Sequence, residues 1–213
     1  PDEYQDPAFW DRVVNDLGMS LARIPMPEHM ERNNDNEDPN QFNWDGYFVK
    51  DNASRMGIES AMQLAQKLKQ RGVRKFMATP WSPPDFMKTH RSPIHGGHLR
   101  MDMLQEYAEY MAAYIMLAKK NWGINFDAIS IQNELLFIEP YRSCIYHPEG
   151  AREAVRALMH KFDQENINTR ILMPEDMMFL ERMADYIRPT MHYPETRNFK
   201  GHFSTHRQKG GEV

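Results

Sequence analysis

Cysteine is almost missing from this sequence. Cys144 is the only one in 213 residues, which excludes an internal disulfide and leaves the compartment unreadable from thiols. The lone thiol is expected to be a small buried side chain. Long apolar runs are missing too, since none approaches the roughly 20 residues a membrane-spanning helix needs. Positive charge is not in excess. Lys and Arg number 26 against 30 Asp and Glu, a formal net charge of -4, which excludes the basic footprint of a nucleic-acid surface. No internal repeat and no low-complexity tract is present. The first residues do not form a signal peptide, and the chain opens on Pro1, not Met.

What remains is an ordinary globular mixture, 41% hydrophobic and 26% charged, enough for one sizeable core and therefore one domain or most of one. Helical and strand patterns alternate along it. Phe9, Trp10, Val13, Val14 and Leu17 share one helical face in residues 6–17. A short apolar run at 20–26 reads as a strand. Ile58, Ala61, Met62, Ala65 and Leu68 make a second helix, closed by Gly72 as its C-cap. Strand patterns follow at 73–79, 126–131 and 169–173. Between them lie helices led by the stripe Leu104, Tyr107, Ala108, Met111, Tyr114, Ile115, Ala118 and by residues 149–164. A helix at 176–187 and a last short strand at 189–193 complete the reading.

Strands alternating with helices imply a parallel sheet with crossover helices. The long polar segments, 27–53 and 80–100, both follow strands, whereas helix-to-strand connections are short. That asymmetry is what an active face at the strand C-termini produces. Periodicity by itself fits a doubly wound open sheet as well as a barrel segment.

Two strings carry chemistry. Ile131-Gln132-Asn133-Glu134 ends a strand. A carboxylic acid there can protonate a departing glycosidic oxygen, and the neighbouring Asn133 can bond a sugar hydroxyl. The bland alternative is a helix-entry cap. The second string is Ala78-Thr79-Pro80-Trp81-Ser82-Pro83-Pro84-Asp85-Phe86-Met87-Lys88. Its prolines stiffen the backbone and hold Trp81 rigidly, so the indole can pack on a sugar ring. Its bland alternative is a stiff plug. His90, His95 and His98 share a loop but lack the spacing of a zinc hydrolase, so no metal site is expected. The acidic run from Glu28 to Asp38 lacks the calcium-loop pattern and reads as solvated loop.

These strings, with Gly96-Gly97-His98-Leu99 and Tyr141-Arg142-Ser143-Cys144, resemble glycoside hydrolase family 30 over nearly the whole chain. The resemblance implies an α/β fold: an incomplete TIM (β/α)8 barrel, roughly strands two to six, with parallel strands and crossover helices. It makes residues 1–213 a partial catalytic domain, with the first, seventh and eighth strands and a β-sandwich side domain absent. The implied activity is retaining hydrolysis of β-linked glycosides such as xylan, β-1,6-glucan or β-1,6-galactan. Glu134 is the implied general acid/base, and Asn133 and Trp81 line the sugar site. Arg23 matches an arginine that keeps the nucleophile ionised. His192 and Tyr193 resemble polar residues at the end of the sixth barrel strand.

The family usually has proline after the acid/base; here Leu135 follows. The tail Gly210-Gly211-Glu212-Val213 reads as an approach to the seventh strand, which carries the nucleophile in the family. Glu134 is therefore expected to face an empty gap, Arg23 to lack a carboxylate partner, and the isolated chain to be inactive. The alternative from another class is a carbohydrate-binding pseudo-enzyme without a nucleophile. The resemblance implies no cofactor, a carbohydrate substrate, no nucleic-acid or membrane partner, and a full-length parent that is monomeric and secreted or extracytoplasmic.

Overall fold

The structure, a computed structural model, describes residues 6–34, 36, 38–50, 58–177 and 180–206. Five strands form one parallel sheet: β1 Leu21–Met26, β2 Lys75–Pro80, β3 Ala128–Ser130, β4 Arg170–Asp176 and β5 Gly201–Thr205. Their spatial order is their chain order. A doubly wound sheet reverses direction part-way; this sheet does not, and its winding is that of a β/α barrel. Helices α2 Glu59–Gln70, α3 Leu104–Trp122, α4 Pro148–Gln164 and α5 Leu180–His192 connect successive strands. A short helix α1, Pro7–Asp11, runs into a π-helical turn at Arg12–Asp16 before β1.

The core lies between sheet and helices. Ala22, Ile24 and Met26 of β1 are buried while Leu21, Arg23 and Pro25 are less so, the two-residue alternation of a pleated strand. Arg23 therefore sits on the face opposite the helices. In β4 every residue from Ile171 to Asp176 is buried, as expected of a strand covered on both faces. Helix α3 is buried along most of its length, stops at Gly123 in the left-handed conformation (φ 66°), and packs on α4. Its tyrosines bind the loops at the strand ends. Tyr107 donates to Ile131 O at 2.9 Å, and Tyr110 donates to Pro27 O while accepting from Met30 N.

Two readings of the sequence require correction. Residues 189–193 are not a strand. Helix α5 continues through Pro189 to His192. Met183, Tyr186 and Thr190 are buried, three- and four-residue steps that keep one helical face inward. The proline lies in the last turns, where Thr190 Oγ1 donates to Tyr186 O at 3.0 Å. The true fifth strand is β5. It has few apolar residues and is only partly buried, so it lacks the apolar run that marks other parallel strands. Gly201 is required there, because a Cβ would meet Ile171 O and the Phe199 ring at 2.1 Å.

The acidic run is not simply solvated. Glu28 and Glu31 are buried, and Glu28 is ion-paired to Arg142. Cys144 is buried as expected, and burial pushes its thiol up to about 12. The tail around Glu212 and positions 35 and 37 of the acidic run lie outside the described residues.

Candidate active site

The C-terminal ends of β1 to β5 converge on one cluster of charge. Arg23, midway along β1, donates through Nε to Glu175 Oε1 at 2.8 Å and to Thr79 Oγ1 at 3.1 Å. Its other arm reaches Asn133 Oδ1 at 2.6 Å. The guanidinium carbon lies 4.7 Å from the centroid of the Trp81 ring, a cation–π distance. One cation thus ties together residues from the ends of β2, β3 and β4. Thr79 Oγ1 also lies 3.3 Å from Glu175 Oε2 and 3.3 Å from Ser130 Oγ.

Glu134 stands just past β3. Asn133 N donates to Pro80 O, and Glu134 N donates to Glu175 O, both at 2.9 Å. Gln132 Nε2 holds Trp81 O at 2.6 Å. Glu134 and Glu175 have φ of 54° and 47°. That left-handed region is uncommon for side-chain-bearing residues and concentrates at functional sites. The backbone bond between the two ties these bends together.

His206, the residue after β5, bridges the carboxylates. Its Nδ1 is 2.9 Å from Glu134 Oε1 and its Nε2 is 3.7 Å from Glu175 Oε1. The first is a hydrogen bond and the second an ion-pair approach. Glu175, then Glu134, hold the imidazolium above the ordinary histidine range, against the opposing effect of burial. Asp176 turns away from this centre and accepts from Leu136 N at 2.7 Å. Burial raises its carboxyl, opposed by the N–H groups of Leu136 and Met177.

Of the residues singled out from sequence, Glu134, Asn133, Arg23 and Trp81 come together. His192 and Tyr193 do not. His192 ends α5, and Tyr193 packs its ring under Arg152 of α4, 4.0 Å from the guanidinium carbon. Both were assigned to a strand end that is in fact a helix end in the outer layer. The position they were meant to fill is taken by His206. A second correction concerns Arg23 and Glu134: Arg23 does not lack a carboxylate partner, since Glu175 pairs with it, and Glu134 faces His206, not an empty gap. The Glu175 carboxylate, on β4, lies in the centre of the cluster.

The loop histidines serve the backbone. His90 Nε2 contacts Ile94 O at 2.8 Å and His98 Nδ1 contacts Ile145 O at 3.0 Å. Among the described residues no three His, Cys, Asp or Glu side chains group as metal ligands.

The model of the glycosyl hydrolase family 30 TIM-barrel domain matches residues 10–187. The chain belongs to glycoside hydrolase family 30. Within it, the glucuronoxylanase XynC of Bacillus subtilis is 27% identical over 183 residues, covering 81% of this chain and 34% of its own. An endo-1,6-β-D-glucanase of Aspergillus fumigatus is 32% identical over 100 residues, 40% of this chain and 20% of its own. Among solved structures, the subfamily 8 xylanase Xyn30A of Clostridium acetobutylicum superposes with a TM-score of 0.74 at 21% identity. That match covers 94% of this chain and 46% of the xylanase. The family 30 chain thus spans about a third of the curated xylanase's length and under half of the solved one. The likeness carries the fold: these five strands are a segment of the family's barrel.

Proposed function

We propose that the enzyme containing this barrel segment hydrolyses β-linked polysaccharides with retention, and that Glu134 is its general acid/base. The observation that carries the reading is the placement of the Glu134 carboxyl at the strand-end rim, hydrogen-bonded to His206. Asn133, Arg23 and Trp81 flank it. A general acid must reach the leaving oxygen and exchange its proton in each half-reaction. His206 supplies a titratable neighbour for that exchange. Asn133 binds a sugar hydroxyl through the amide hydrogens that its bond to Arg23 leaves free. The relatives act on xylan-type and β-1,6-glucan polymers by name, which favours a substrate of that class.

Retention needs a second carboxyl about 5–5.5 Å from the acid. The family resemblance puts the nucleophile on the strand that follows β5, so we assign it to a residue outside those described, and the segment ending at His206 should by itself turn over no glycoside. One observation favours a second reading. Glu175 is paired with a cation and shares an imidazole with Glu134, as a nucleophile would require. Trapping the full-length enzyme with a 2-fluoro glycosyl donor and mapping the labelled peptide separates the two. A label on Glu175 overturns the first assignment; no label and no turnover, with polysaccharide binding retained, points to a binding pseudo-enzyme. For Glu134, replacement by alanine should cost about 10²–10⁴-fold in turnover, and azide should restore breakdown of the glycosyl-enzyme. Failure of azide to act on any substrate would remove Glu134 from the role.

A further inference from the structure

The segment that follows β1 leads away from the charge cluster. It leaves and returns through one neck, where Glu31 bridges Tyr47 in antiparallel fashion and Phe48 N donates to Met30 O at 2.6 Å. Beyond the neck it lies against the helices. Tyr47 Oη donates to Glu109 of α3 at 2.9 Å, and the buried Lys161 of α4 donates to Pro39 O at 2.9 Å. The same ammonium lies 4.5 Å from the centroid of the Phe42 ring, a cation–π distance. A lysine is almost never buried without partners, so this one holds the segment to a fixed frame.

Trp44 is the residue that this anchoring does not explain. Its ring stacks on Phe42 with centroids 4.7 Å apart and planes 17° apart, yet the residue stays 39% exposed. Phe42 already packs against the core. Trp44 instead lines a cavity at the N-terminal end of the sheet, with Lys119 and Lys120 at the end of α3 and Asn166 and Asn168 between α4 and β4. All four of these are exposed, and Lys120 Nζ lies 6.0 Å from the Trp44 centroid. The acids of the same wall are occupied: Asp127 accepts from Phe76 N and Glu165 pairs with Lys161. Amide and ammonium groups are left for a ligand. Lysines at a helix C-terminus complement its dipole, but that role needs no tryptophan beside them.

A rigidly held indole beside such groups suits a pyranose ring. The C–H face of the sugar packs on the aromatic surface, and its hydroxyls meet the amides and the ammonium. A single sugar bound here gains nothing from Glu134, which stands at the opposite end of the sheet. A polymer does, because holding one stretch at Trp44 raises the effective concentration of another at the rim. We propose that Trp44, Lys120, Asn166 and Asn168 form a second glycan site, which tethers a polysaccharide at the end of the sheet away from the acid. The site binds without cleaving. It does not depend on the acid role of Glu134, so binding and turnover report on separate claims.

The test uses the full-length enzyme, beads carrying xylan or β-1,6-glucan, and an aryl β-glycoside as the small substrate. Trp44→Ala should weaken retention on the polysaccharide that holds the wild type about tenfold, and turnover of that bead-bound polymer should fall with it. Cleavage of the aryl glycoside should stay within about twofold of wild type, which also reports that the variant folds. Trp44→Phe should keep most of the retention, because a flat ring remains. Unchanged retention in Trp44→Ala, a wild type held by neither polymer, or an equal loss on polymer and aryl glycoside with no recovery in Trp44→Phe would overturn the site. Retention that depends on Trp44 in a wild type without turnover supports the site and sinks the glycosidase reading; urea denaturation then reports folding.

Discussion

The two ends of the sheet differ in a way that cavity size does not reveal. A cavity of about 1190 Å³ opens at the N-terminal end, among Leu21, Lys75, Ala128, Arg170 and His202. The acids there are spent on structure: Asp127 accepts from Phe76 N at 3.0 Å, and Glu165 pairs with Lys161 at 3.1 Å. Thr169 likewise donates to Phe126 O at 2.9 Å. At the C-terminal end the side chains of Arg23, Glu175, His206 and Glu134 contact one another in series. Two of the four have left-handed backbones. Convergent charge with bent backbone marks the chemical end, and volume alone does not.

The comparison can be broken most forcefully at Arg23. Glu175 is buried, whereas Arg23 keeps 30% of its side chain exposed. Arg23→Met should therefore cost about 2–3 kcal/mol, somewhat less than a fully buried pair would, read as a shift in urea denaturation. Arg23→Met combined with Glu175→Gln should recover much of that loss, because no buried charge is then left alone. At the opposite end, Asp127→Ala should cost only about 1 kcal/mol, since water can replace an exposed acceptor. Glycosidase activity should be unchanged there, and a large loss would erase the contrast between the two ends.

His206 sharpens the comparison through pH. Its folded pKa is raised by Glu175 and Glu134, so its contribution to stability is fully present below the unfolded histidine value near 6.5. That contribution is lost as pH rises through the folded value. His206→Gln should flatten the fall in unfolding free energy on the alkaline side of pH 6.5, and an unchanged slope would contradict the bridge. The smallest effect belongs to the helical layer. The Tyr114 hydroxyl is buried with no hydrogen-bond partner among the described residues, and burial pushes its phenol strongly upward. Tyr114→Phe should change stability by no more than about 1 kcal/mol, toward greater stability.

Much of the architecture could be read from sequence because its signals are local. The stripe of α3 and the apolar runs of β1, β2, β3 and β4 carry their periods in adjacent residues. The string around Trp81 and the Asn133-Glu134 pair end strands whose positions follow directly. Residues 189–193 are short enough to read as a strand, although the helical face formed by Met183, Tyr186 and Thr190 runs through them. That slip moved the last strand and hid His206. The Gly201–Thr205 segment pairs with β4 while offering little apolar pattern, so only tertiary context defines it. The Arg23–Glu175 pair spans 152 positions, and no local pattern encodes a meeting at that separation.

The central claim is that the Glu134 carboxyl protonates the leaving group at the rim where β1 to β5 end. The most direct measurement compares the full-length enzyme with its Glu134→Gln variant on a series of aryl β-glycosides whose leaving groups differ in acidity. The wild type should show a shallow dependence of kcat/KM on leaving-group pKa, because the acid assists departure. The variant should show a steep one, nearly matching the wild type for the most acidic phenols and falling about 10²–10⁴-fold behind for the least acidic. Parallel lines across the series, with the same loss for every leaving group, would contradict the assignment.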